Sequence, residues 1–168
     1  MPANLTLNAV AFISPQNHPI FIRTFSKQNE HAIKYHYVAH TSLDVIEERV
    51  NASGKQAGEC YLGLLYSMED VVVYGYVTPL KVKIVLAFAL SDAIVRDIEV
   101  TMIFKALHMA YYSATSNPFL KLEASNGANN EKSPYPSVAS PKWKAFRNRV
   151  DEISRVVGSA ANSQTSYS

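Results

Sequence analysis

The run CYLGLLYSMEDVVVYGYVTPLKVKIVLAFAL, residues 60–90, decides the fold. It holds three stretches, 60–66, 71–77 and 81–90, rich in the Val, Ile, Leu and Tyr that suit a pleated surface. The joints between them are short: Ser67-Met68-Glu69-Asp70 and Thr78-Pro79-Leu80. A parallel crossover needs about a dozen residues or more, so joints this short leave only hairpins. The three strands therefore form an antiparallel meander. The second and third are nearly unbroken apolar runs, which predicts a sheet covered on both faces.

Upstream, residues 5–13 begin by alternating, with Leu5, Leu7, Ala9 and Ala11 set against Thr6 and Asn8. Ser14-Pro15-Gln16-Asn17-His18-Pro19 is dense in turn formers, and 20–25 reads as the second strand of a hairpin. A helix is predicted over 32–50. Its buried stripe is Tyr35, Ala39, Ser42, Ile46 and Val50, widened by Val38 and Val45, with Leu43 one strip over. Asp44, Glu47 and Glu48 fall on or beside the polar face, and Gly54 supplies a left-handed stop.

Downstream, a second helix is predicted over 92–112, capped by Ser91 or Asp92 and ended before Asn117-Pro118. Its core stripe is Ile94, Ile98, Met102 or Ile103, Ala106, and Met109 or Ala110. Residues 120–140, dominated by Ser, Asn, Gly, Glu and Pro, read as a flexible loop. A third helix over 141–157 carries the stripe Trp143, Phe146, Val150, Ile153 and Val157, and 158–168 reads as a disordered tail. The order ββαβββαα makes residues 1–157 one α+β domain, an antiparallel sheet with helices on both faces.

Composition narrows the class. A chain of 168 residues is one domain, and 48% hydrophobic residues suffice for a core. Only 18% are charged, below the usual ~25%, which argues against disorder and against a coiled coil. A net charge of +2 does not make nucleic acid a partner. The single cysteine, Cys60, excludes an internal disulfide and a zinc site built on several thiolates. No segment reaches the ~18 apolar residues of a membrane span. The N-terminus lacks the charged start and apolar run of a signal peptide, so a cytosolic protein is expected.

The chain carries few patterns that point to chemistry. The glycines form neither a GxGxxG nor a P-loop, and HExxH, CxxC and GxSxG are missing. His36 and His40, four apart on one helix, form a possible metal pair with Asp44 a turn further on; the plainer reading is local hydrogen bonding beside a buried stripe. Cys60 begins an apolar strand, where a thiol is ordinarily a packing residue. Glu47 with Glu48 reads as a solvated helix face, and Glu69 with Asp70 as a turn. Lys142, Lys144, Arg147, Arg149 and Arg155 make the last helix basic, which suits an acidic partner or lipid, or simply a wet outer face. Ten tyrosines suit an interface or half-buried strands equally. These residues assign no catalytic group, no cofactor and no metal.

Four stretches carry a family likeness: residues 36–44 (HYVAHTSLD), 61–66 (YLGLLY), 74–78 (YGYVT) and 117–119 (NPF). In order and spacing they resemble the sedlin-type small subunits of the TRAPP vesicle-tethering complex. The likeness runs from about residue 9 to 119 and weakly over 142–153. The second and third stretches favour a branch of the family other than sedlin itself. The resemblance implies a longin (SNARE-like) fold, a five-stranded antiparallel sheet with one helix on one face and two on the other. It implies a non-catalytic scaffold that links the TRAPP core to peripheral subunits in traffic between endoplasmic reticulum and Golgi. Its partners would be other TRAPP subunits, with a Rab GTPase reached only through the assembled complex, and Asp44 would face a partner. The competing reading is a longin domain of another trafficking class. A SNARE needs a heptad helix and an anchor beyond the domain, and 158–168 supplies neither; an adaptor chain stays open.

Overall fold

The computed structural model describes residues 6–25, 32–52, 60–68, 70–90, 95–116 and 143–162. Along the chain run β1 (Leu7–Ile13), β2 (Pro19–Thr24), α1 (Ala32–Ala52), β3 (Tyr61–Met68), β4 (Val71–Val77), β5 (Lys83–Ala89), α2 (Asp97–Thr115) and α3 (Lys144–Asn162). The strands form one antiparallel sheet in the order β2-β1-β5-β4-β3. Both expected hairpin groups are present, and the pairing of β1 with β5 joins them into a single sheet.

Side-chain size sorts the two faces. Because strand side chains alternate, β1 points Ala9, Ala11 and Ile13 one way and Val10 and Phe12 the other. The register sets Ala9 opposite Ala87 and Ala11 opposite Val85, so the first face is floored by small residues. Helix α1 lies on that floor through Tyr35, Val38, Ala39, Leu43 and Ile46. The other face is bulky. Phe12 packs at 5.5 Å on Tyr111 and at 5.4 Å on Phe146, and Trp143 meets Phe146 edge-on at 5.4 Å. Each such pair is worth about 0.5–1.5 kcal/mol beyond its buried area. There α2 and α3 lie side by side over the sheet. One helix on one face and two on the other is the longin arrangement.

Two of the hairpin turns share one design. In Ser14-Pro15-Gln16-Asn17-His18 the Ser14 N–H donates to the His18 carbonyl at 2.8 Å, and the Asn17 N–H to the Ser14 carbonyl at 2.9 Å. The buried Ser14 Oγ accepts the His18 N–H at 3.0 Å. In Thr78-Pro79-Leu80-Lys81-Val82 the matching bonds are 2.9, 2.8 and 3.0 Å, with Thr78 Oγ1 in place of the serine hydroxyl. The proline presets the turn's first φ, and the fourth residue takes a left-handed conformation, φ 66° at Asn17 and 67° at Lys81.

Several expectations need correction. The buried stripe of α1 includes Leu43, whereas Val50 is exposed. Residues 95 and 96 are not helical, and α2 starts at Asp97 behind Arg96, which makes no side-chain cap. Its core stripe is Val100, Ile103, Phe104, Leu107 and Tyr111; Ile98, Met102 and Met109 point to solvent. The last helix continues through Asn162, so 158–162 are helix rather than tail. The expected stop at Gly54, the caps at Ser91 or Asp92, the loop 120–140 and residues 163–168 lie outside the described residues.

Candidate interaction surfaces

Helix α1 puts its apolar side on the sheet and must therefore turn the other side outward. That outer side carries His36, Tyr37, His40, Asp44, Glu47 and Glu48, all exposed, with Tyr37 at 62%. His36, His40 and Asp44 share one line on the helix, as expected from their spacing. Among the described residues, no group of three His, Cys, Asp or Glu side chains is placed to hold a metal ion. Asp44 stands in the middle of this face.

Glu47 is exposed, as expected of a solvated helix face, and it also makes a long-range contact. Its Oε1 accepts Asn17 Nδ2 at 2.6 Å, and Asn17 Oδ1 in turn accepts the Lys83 ammonium. Lys83 is buried in β5, and burial holds its pKa below the ordinary lysine value against the pull of Glu47. This relay ties the first turn, the sheet centre and α1 together. The three residues are far apart in sequence, and no local pattern announces them. Asp70 likewise accepts from Lys34 at 2.5 Å, clamping the start of β4 to α1. At the other end of α1, Arg49 Nη1 donates to the Leu62 carbonyl at 2.6 Å.

Cys60 is half-buried against the larger core, and its carbonyl accepts the Val77 N–H at 2.8 Å. Burial is the main reason the neighbouring Tyr76 phenol holds its proton above the ordinary range, with Cys60 adding to it. Geometry gives the thiol a packing position against the core, beside the Tyr76 side chain.

The second surface belongs to α2 and α3. Trp143, Phe146 and Val150 anchor α3 in the core, and Arg23 of β2 grips Asp151 with two bonds of 3.1 and 3.0 Å. The basic residues of this helix thus ride on a packed element. Between α2 and α3 runs an open groove of about 330 Å³, floored by Ile103, Ala106, Ile153 and Val157. Arg149 and Glu152, paired at 3.0 Å, stand at its α3 rim. The exposed Ile98, Met102 and Met109 continue the apolar surface along α2. The signal is in the sequence, since α2 is apolar on two sides: of the expected stripe Ile103 is buried, whereas Ile98, Met102, Ala106 and Met109 are exposed.

A family model described as Sedlin matches residues 12–134. The chain belongs to the sedlin family. The chain is also similar to relatives named trafficking protein particle complex subunit 2-like protein. The one from Bos taurus is 46% identical over 113 residues, 66% of this chain and 80% of its own length. The one from Taeniopygia guttata is 45% identical over the same shares. The one from Dictyostelium discoideum is 40% identical over 114 residues, 67% of this chain and 81% of its own. The sedlin match takes in Asp44 and the exposed stripe of α2. Helix α3, the second wall of the groove, lies past its end. No described helix of this sedlin-family chain is long and apolar enough to cross a membrane.

Proposed function

We propose that this chain is a non-catalytic scaffold subunit of the TRAPP tethering complex. It joins the core of that complex to peripheral subunits during transport from the endoplasmic reticulum to the Golgi and around the Golgi. It supports Rab nucleotide exchange only as part of the assembly, and it works as a cytoplasmic protein held peripherally at those membranes. The single observation carrying this reading is the 46% identity, over 80% of its length, to a relative named as a subunit of that complex. The fold agrees with it. A doubly covered sheet gives a rigid body, and Tyr37 and the α2 stripe give it apolar surface to offer neighbours.

Asp44 is assigned to the partner-facing side of α1. It is exposed at the centre of the outer face and carries the aspartate of the HYVAHTSLD stretch. A carboxylate there pairs with a cation on the neighbour and fixes register.

The test is native affinity purification of the tagged full chain, with mass spectrometry of what comes with it. Other TRAPP subunits are expected in comparable amounts, and the chain alone is expected to leave the nucleotide exchange rate of a Rab unchanged. Recovery of the chain without any of them, or exchange by the chain alone, overturns the reading.

A further inference from the structure

Helix α2 has two apolar sides, and the sheet uses one. Ile98, Met102 and Met109 are exposed by 68%, 66% and 60%. At 100° per residue they form a narrow stripe opposite Val100, Phe104 and Leu107. The stripe runs for about 17 Å, some three helical turns at 1.5 Å per residue. Its sides differ. On one it opens through Ala106 into the groove against α3. On the other stands Lys105, exposed and without an ion-pair partner among the described residues.

Charge decides what covers this surface. A second copy, paired about a two-fold axis, would bring two Lys105 ammoniums into one apolar seam within about a turn of each other, and buried like charges oppose association. A lipid surface wants an excess of cations around the apolar stripe, whereas Glu99 and Glu152 border it as well as Lys105 and Arg149. A helix with an apolar edge and one acidic residue satisfies both the stripe and the lysine.

We propose that the α2 stripe and the α2–α3 groove form a docking surface for an amphipathic helix of a different polypeptide, with a carboxylate of that helix paired to Lys105. The surface lies across the sheet from α1, so the chain can hold two neighbours at once. The proposal rests on the reading of this chain as a subunit of an assembly.

The test uses the full chain in its assembly, with p-benzoylphenylalanine placed at Met109 and, in a second variant, at Tyr37. Position 109 is expected to cross-link to another polypeptide, within a helical segment that carries Asp or Glu within a turn of the attachment point. Lys105→Glu is expected to lower that yield by about tenfold, and a Lys at the mapped carboxylate to restore it. Neither change is expected to affect cross-linking from position 37. Attachment only to a second copy or to lipid overturns the proposal, and so does a yield indifferent to Lys105→Glu. A silent position 109 beside a productive position 37 overturns the proposal and leaves the subunit reading standing. No cross-link at either position, with the chain recovered alone, removes both.

Discussion

Leu65 fills the space that a side chain on Gly75 would need. A Cβ at position 75 would stand 2.9 Å from Leu65 Cδ1 and 3.1 Å from its Cγ and Cδ2. The cause is a bulge. The register pairs Leu64 with Tyr74 and Tyr66 with Val73, so Leu65 is the residue left over on β3. It folds inward over β4, beneath α1.

The first prediction concerns that contact. Gly75→Ala overpacks a buried site and is expected to lower stability by about 1–3 kcal/mol in denaturant unfolding. In a Leu65→Ala background the same change should cost much less, giving a coupling of about 0.5–3 kcal/mol. Equal costs in the two backgrounds would show that Leu65 does not fill the position.

The paired turns give a prediction with opposite signs. Lys81 is held left-handed without a side chain suited to it, so Lys81→Gly is expected to raise stability by roughly 0.5–1 kcal/mol. Asn17→Gly relieves little strain and removes the bonds to Lys83 and Glu47, so thermal unfolding should move down. A buried lysine left without its acceptor is the larger effect.

Alkaline pH is the third test. Tyr35, Tyr61, Tyr66, Tyr74 and Tyr76 all hold their protons above the ordinary phenol range, in each case mainly through burial. In the unfolded chain they lose them near pH ~10. The folded state thus keeps protons that the unfolded state gives up. This stability is fully present below about pH 10 and is lost as pH rises above it. Denaturant midpoints should fall from there upward, and phenolate absorbance from these five should appear together with unfolding. A smooth tyrosine titration that precedes unfolding would contradict the burial.

Trp143 supplies the fourth. It is buried, and its Nε1 has no hydrogen-bond partner among the described residues. An orphaned donor costs about 1–3 kcal/mol, so Trp143→Phe removes that penalty while opening a small gap. The two effects oppose, and the net change is expected to stay within about 1.5 kcal/mol of zero. Trp143→Ala should cost about 3–5 kcal/mol by calorimetry. A Phe variant as damaged as the Ala one would mean that the indole N–H is satisfied.

How far the sequence could be read depended on how local each cause was. The meander was legible because short joints permit one connection only, and the burial of β4 and β5 on both faces followed from their unbroken apolar runs. Periodicity fails for a helix with two apolar sides. Ile98, Met102 and Met109 repeat as well as Val100, Phe104 and Leu107, and only the sheet decides which side is buried. Residues 158–162 read as part of a tail, yet α3 runs through Gly158, since a single glycine weakens a helix without ending it. The bond from Lys83 to Asn17 joins residues 66 apart, and the bulge at Leu65 depends on pairing that no single strand displays. Of the candidate site, the sequence showed Asp44 on the outer face of α1 and hid the α2 surface inside a misplaced core stripe.

The central claim is that this molecule works by offering fixed surfaces to neighbours. Hydrogen–deuterium exchange of the chain alone and within the purified assembly tests it most directly. Slower exchange is expected in α1 around Asp44 and along α2 and α3, with β4 and β5 unchanged. Identical exchange in all three helices in the two states, or a change confined to the sheet, would contradict it.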